Sequence, residues 1–292
     1  MRILKLTVNA ADDGKKVKQL MRGTMQISSS LLKSLKWREN AILLNGQRVT
    51  VAAIVHAGDE LTVNIADNGE SSPHIAAVDY PLDILYEDDD LLIIDKPAGI
   101  AVHSAALTEE TVTIAGAVAY YLGDTPFHPV NRLDRGVTGV MVIAKNGYMH
   151  QRCMAILHTD DFRREYRGIC EGRPSPAQGT IDLPIGRDPE SILKRCIDSN
   201  GLASHTEYAV LQTTNGRSLL QLRPLTGRTH QLRLHLSAIG HPLLGDWLYG
   251  TENRELIARP ALHSYELWLR HPLTGELLHI TAPIPEDMQK LL

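Results

Sequence analysis

The chain has 292 residues, 43% of them apolar and 22% charged, with a formal net charge of −4. This is ordinary globular composition and suits one large domain plus a small one. The longest apolar runs, such as residues 91–94 and 139–144, fall far short of the roughly 20 residues a spanning helix needs, and residues 1–9 lack the pattern of a signal peptide. Cys153, Cys170 and Cys196 are sparse, odd in number and without a C-x-x-C pair. They argue against a disulfide framework or zinc knuckle and for a reducing cytosol.

Residues 1–66 carry ten Lys/Arg against five Asp/Glu, whereas residues 67–110 carry eleven Asp/Glu against one lysine, Lys96. A basic head beside an acidic stretch fits a protein that touches phosphate with part of its surface. The head reads as a separate small module. Ser28, Ser29 and Ser30 suit the start of a helix near Leu31, with Leu31, Leu32 and Leu35 on its apolar face. Asn45-Gly46 between apolar runs predicts a hairpin, and Gly58-Asp59 followed by Leu61-Thr62-Val63 a further turn and strand.

Residues 67–79 are polar, contain Gly and Pro and lack periodicity, which predicts a linker. From Tyr80 onward, strands are predicted over residues 91–95, 140–144, 164–171, 207–212, 219–223, 266–269 and 278–281. Helices are predicted over 148–158 and 229–239. Strands and helices do not alternate regularly, so the expected fold class is α+β, with a mixed or largely antiparallel central sheet over 80–292.

Two segments carry chemistry. In Asn131-Arg132-Leu133-Asp134-Arg135, followed by Gly136-Val137-Thr138-Gly139, a carboxylate sits between two arginines at a turn into a buried strand. Such a carboxylate suits nucleophilic attack at a sugar carbon. In Gly227-Arg228-Thr229-His230-Gln231-Leu232-Arg233-Leu234-His235, Thr226 and Gly227 can cap a helix beginning near Arg228 or Thr229. Its N-terminus would favour an anion, either a phosphate or Asp134. His230 and His235 stand five apart and do not share a helix face, so no metal site is expected. The acidic run at residues 87–90 reads as a solvated turn, because successive carboxylates point in different directions. No P-loop or dinucleotide fingerprint is present, so no cofactor is implied.

These two segments resemble the signature regions of RluA-type RNA pseudouridine synthases. Residues 86–99 and Arg164-Glu165-Tyr166-Arg167-Gly168 are similar to two further blocks of that family, in the same order. The head resembles an alpha-L RNA-binding module, with an atypical start at residues 16–20. The resemblance implies isomerisation of uridine in structured RNA, ribosomal or transfer, with Asp134 as nucleophile toward either the ribose anomeric carbon or the uracil ring. It further implies that Arg228 pairs with Asp134, that Tyr166 packs on the target base and helps remove the ring proton, and that Leu232 walls the uracil. Arg132 and Arg135 would hold flanking phosphates, with Thr229 and His230 also in contact with substrate. The target base must be flipped out of its helix. Asn131 stands where His is common, and Thr138 is the residue that keeps a hydroxyl beside Asp134.

Two other classes remain open at this point: an RNA-binding protein without catalysis, and a glycosidase-like hydrolase. The second needs a partner acid, for which Glu165 is the one candidate. The expected protein is a cytoplasmic monomer acting on RNA without membrane, metal or organic cofactor.

Overall fold

The computed structural model describes residues 2–67, 75–104, 112–123 and 126–292. The N-terminal part contains β1 (Ile3–Thr7), α1 (Val17–Arg22), α2 (Ser29–Leu35), β2 (Ile42–Leu44), β3 (Gln47–Arg48) and β4 (Glu60–Asn64). Its strands form an antiparallel sheet in the order β1-β4-β2-β3. The serine cluster starts α2 as expected: the Ser28 hydroxyl accepts a hydrogen bond from Leu31 N at 3.1 Å. Asn45 and Gly46 both have positive φ, 52° and 78°, as a tight hairpin of the primed type requires. Leu32 and Leu35 of α2 pack with Leu20, Met21, Ile42, Leu61 and Val63 into one buried cluster.

The remainder contains β5 (Asp83–Glu87), β6 (Leu91–Lys96), α3 (Ile114–Leu122), β7 (His128–Pro129), β8 (Thr138–Ala144), α4 (Gly147–Ile156), β9 (Phe162–Glu171), β10 (Gln178–Asp182), β11 (Ile185–Arg187) and β12 (Arg195–Ile197). It continues with β13 (His205–Thr214), β14 (Arg217–Pro224), α5 (Gln231–Ala238), β15 (Leu262–Arg270), β16 (Leu277–Thr281) and α6 (Glu286–Gln289). The large sheet runs β10-β13-β14-β9-β15-β8-β6-β5, with β16 against β15 and β7 against β8. Among its described pairs, β15 with β8 is parallel and the others are antiparallel. The mixed, largely antiparallel sheet of an α+β fold is therefore present. β6 and β8 are buried along nearly their whole length, which explains their unbroken apolar runs.

The sequence reading missed α3. Its segment IAGAVAYYL buries every residue from Ile114 to Ala119, so it lacks the polar stripe that marks an amphipathic helix. Most of the expected linker, residues 68–74, lies outside the described residues.

The acidic run is not a solvated turn. Asp90 is buried and takes a two-pronged bond from Arg2, Nε to Oδ1 at 2.9 Å and Nη2 to Oδ2 at 2.6 Å. Asp88 accepts from Asp90 N and Leu91 N, which closes the β5–β6 turn. Glu87 meets Lys145 at 2.6 Å. The run thus ties the N-terminal strand to the large sheet. On the same seam, Tyr148 of α4 is buried in the N-terminal cluster and donates to Met25 O at 2.9 Å.

The turn that carries Asp134 is held from behind. Gly139 has φ +108°, and a Cβ there would lie 2.1 Å from Ser264 O. Only glycine lets β8 approach β15 this closely. Lys96 is wholly buried, and its ammonium donates to Pro97 O, Ile100 O and Arg135 O at 2.7, 2.8 and 3.2 Å. Burial pushes its pKa down to about 8.

Candidate active site

Asp134 lies in the connection between β7 and β8. Leu133 before it and Val137 after it are buried in the main cluster, and Val137 N donates to Asp134 O at 3.0 Å. Asn131 is buried, with its Oδ1 accepting from Val142 N at 2.8 Å. The amide thereby clips the loop to β8. The Asp134 side chain is 27% exposed. It opens into a cavity of about 510 Å³ also lined by Arg132, Arg164, Tyr166, Arg228, Thr229, His230 and Leu232. That volume is in the range of small-ligand sites.

The strand period of two sorts β9. Arg164 and Tyr166 face the cavity. Glu165 points the other way, accepting from Gln221 Nε2 at 2.5 Å and standing 3.5 and 3.6 Å from Arg163 and Arg167. It supplies no second carboxylate to Asp134, which removes the one candidate for a glycosidase pair. Tyr166 is 5% exposed and belongs to the main apolar cluster with Leu232. Together these two make an apolar wall suited to a planar base.

The partner of Asp134 is Arg233, not Arg228. Arg233 Nη1 donates to Asp134 Oδ2 at 3.0 Å, while its Nε and Nη2 hold Asp246 Oδ2 and Oδ1, both at 2.7 Å. Arg228 lines the cavity, and its Nε donates instead to Ala203 O at 3.2 Å. The difference follows from where the helix begins. Gln231 accepts from Thr226 Oγ1 and Arg228 N at 2.8 and 3.0 Å, which ties residues 226–228 into a loop, and α5 starts at Gln231 with His230 as its N-cap. Thr226 and Gly227 therefore do not cap it. Two residues into α5, Arg233 points inward. Burial opposes its charge, but its bonds to Asp246 and Asp134 outweigh burial and hold the guanidinium above its ordinary pKa.

His230 has φ +58°, a conformation rare outside glycine and concentrated at functional sites. Its Nε2 lies 3.8 Å from Asp134 Oδ2, and its Nδ1 is 2.9 Å from Tyr249 Oη. That hydroxyl accepts from Arg195 N at 2.8 Å. Both bonds are satisfied when Tyr249 donates to Nδ1, which leaves the imidazole proton on Nε2, toward Asp134. Burial lowers the His230 pKa and favours its neutral form.

Arg135 faces away from the first cavity. Its Nε donates to Gly99 O at 2.8 Å, and it borders a second cavity behind Asp134. The Thr138 hydroxyl does not reach the site. It donates to His263 Nδ1 at 2.8 Å, because burial and a bond from His263 Nε2 to Ala282 O fix that ring as neutral, with a pKa pushed down to about 4. Sequence reasoning missed Arg233, Asp246 and Tyr249 as parts of the site. The available signal was a single acid, Asp246, in the otherwise uncharged stretch that follows the Arg-rich segment.

A carboxylate held by a buried guanidinium thus borders a cavity with an apolar wall of Tyr166 and Leu232. A family model described as RNA pseudouridylate synthase matches residues 90–238. An uncharacterized RNA pseudouridine synthase of Bacillus subtilis (strain 168) is 36% identical over 274 residues, covering 92% of this chain and 96% of the relative. A ribosomal large subunit pseudouridine synthase D of Vibrio parahaemolyticus is 36% identical over 268 residues, covering 86% and 81%. Among solved structures, Human RNA Pseudouridylate Synthase Domain Containing 4 superposes with a TM-score of 0.58 at 28% identity, covering 71% of this chain and 90% of the other. The chain belongs to the RNA pseudouridylate synthase family, and its reaction is the isomerisation of uridine in RNA to pseudouridine.

Proposed function

We propose that Asp134 is the nucleophile of this isomerisation and that the substrate is ribosomal RNA. The observation that carries the first part is the 3.0 Å bond from Arg233 to Asp134 Oδ2 at the edge of a cavity walled by Tyr166 and Leu232. The target uridine, flipped out of its helix, stacks on Tyr166. The opposite oxygen, Oδ1, attacks either the anomeric carbon or the uracil ring, and the glycosidic C–N bond breaks. The base turns and rejoins the ribose through C5, the bond to Asp134 Oδ1 breaks and frees the carboxylate, and C5 loses its proton with help from the Tyr166 hydroxyl on the cavity wall. Arg233 holds the carboxylate in its attacking orientation, and Arg132 and Arg228 bind phosphates at the rim. The substrate class is supported by the relatives named ribosomal large subunit pseudouridine synthase D in two Vibrio species. The basic N-terminal part, with exposed Lys33 and Lys36 on or beside α2, acts as an RNA-binding module. On this reading the protein works as a monomer in the cytoplasm.

The test is tritium release from RNA labelled at carbon 5 of uracil, on ribosomal and transfer RNA transcripts, with Asp134→Asn as control. Release from a ribosomal transcript by the native protein alone is expected. Release by Asp134→Asn would remove Asp134 as nucleophile, and release from transfer RNA only would replace the substrate.

A further inference from the structure

We propose that the second cavity, on the far side of Asp134, binds a base of the RNA strand next to the target uridine, with Trp247 as its stacking platform. This inference rests on the RNA reading above. The cavity measures about 620 Å³, and Asp134, His230 and Arg233 line both it and the catalytic cavity. The two spaces therefore share one wall, and a strand whose uridine enters one passes the mouth of the other. Trp247 and Leu193 both line the second cavity. Trp247 is 55% exposed and Leu193 57% exposed, while Ile192 beside it is 83% exposed. These are large apolar side chains left half or more exposed among the described residues, in a protein with three tryptophans and two phenylalanines.

The platform is built rather than incidental. Trp247 follows Asp246, the carboxylate that clamps Arg233, and the same Asp246 Oδ1 accepts from Leu248 N and Tyr249 N at 3.1 and 3.3 Å. One carboxylate thus fixes both the guanidinium behind the nucleophile and the turn that presents the indole. The Leu193 side is held as well. Leu193 sits in the turn between β11 and β12, and β12 is pinned to the site by the bond from Arg195 N to Tyr249 Oη.

Charge decides the kind of occupant. The two acids lining this cavity are both paired, Asp134 with Arg233 and Asp287 with Arg259 at 2.7 Å. Arg135 lines the wall, and Lys194 is exposed beside Leu193. An aromatic face and an aliphatic jaw with cations at the edge fit a planar base attached to a phosphate backbone. Stacking on an aromatic ring is tolerant of base identity, so this cavity contributes grip and register, and the Tyr166 cavity contributes the chemistry.

The experiment uses the full chain and the ribosomal transcript that releases tritium. Trp247→Ala, Trp247→Phe and Leu193→Ser are compared with the native protein. Trp247→Ala should raise KM about tenfold with kcat within about twofold, and Trp247→Phe should restore most of the loss. A second readout places 2-aminopurine on the 5′ or the 3′ side of the target uridine, with Asp134→Asn present throughout to stop turnover. Quenching at one of the two positions, lost in the double variant Asp134→Asn/Trp247→Ala, is the expected result. An active native enzyme whose KM and quenching are both indifferent to Trp247 would overturn this inference and leave the exposed face to a protein partner. A native enzyme inactive on every transcript would instead overturn the substrate reading. Trp247 is half exposed, and an unchanged melting temperature for each variant separates lost stacking from lost folding.

Discussion

Asp134 and Arg233 stand 99 positions apart in the chain and 3.0 Å apart in space. Asp246 occupies the other two nitrogens of the same guanidinium at 2.7 Å. With two of its prongs fixed, the fork can present its third in one direction only, so the ion pair sets the orientation of Asp134 as well as neutralising it. Arg233→Lys keeps the charge but not the fork. It should lower kcat by about 10²-fold or more with little change in KM, since misplacing a reacting group by about 1 Å has that cost. Arg228→Ala should do the reverse and raise KM a few-fold. Single-turnover tritium release separates the two, and the opposite pattern would return the pairing to Arg228.

Asp246→Asn keeps the size of the side chain and the turn acceptor but removes the second charge from Arg233. Breaking a buried pair on one side costs about 3–5 kcal/mol. The variant should show a lower urea midpoint and a lower kcat, with KM near the native value because Asp246 does not line the catalytic cavity. An unchanged kcat would mean that Arg233 is aimed without it.

Gly139→Ala should destabilise by more than about 3 kcal/mol, because the residue has φ +108° and a new Cβ would meet Ser264 O at 2.1 Å. The loss should appear as poor solubility or a strongly lowered melting temperature. Gly275→Ala, at φ +73° with open space around the new Cβ, should cost about 1 kcal/mol.

Asp95 predicts a pH effect of known sign. Burial, and then Asp83 opposite it on β5, raises its pKa from 3.8 to about 6. Between these values the folded protein keeps a proton that the unfolded chain has released. Stability from this group is present below 3.8 and falls as pH rises through the folded value. Asp95→Asn removes the buried charge. It should stabilise at pH 7 by about 1 kcal/mol once solvent screening of a half-buried group is discounted. That advantage should vanish at acid pH. Melting temperatures of both proteins across pH 3 to 8 check it, and a constant difference would contradict it.

The N-terminal part offers a salt test. Lys33→Gln with Lys36→Gln should flatten the slope of log binding against log salt by about one to two if both lysines contact phosphate, and should leave kcat unchanged. Deleting the module is a poorer test than part-by-part substitution, because Tyr148 is buried against it and Arg2 clamps Asp90.

Local features were legible in the amino-acid order. Ser28 announced α2, Asn45-Gly46 announced a hairpin, and the apolar runs of β6 and β8 announced strands. The R-L-D turn by itself would read as a surface ion-pair loop, and it pointed to chemistry through the ordered blocks around it that resemble the family's signature regions. These signals involve residues within a few positions of one another, where backbone preference and side-chain period act directly. Tertiary structure alone decided which arginine reaches Asp134. Arg228 and Arg233 share one segment and one charge, and the choice between them depends on Gln231 tying residues 226–228 into a loop so that α5 begins late and turns Arg233 inward. The same holds for Glu165, which one residue of strand register sends away from the site, and for Asp246 and Tyr249, which join the site only through their bonds to α5 and β12. Contacts across about a hundred residues are set by how whole elements dock, a property of the packed core rather than of any sequence window.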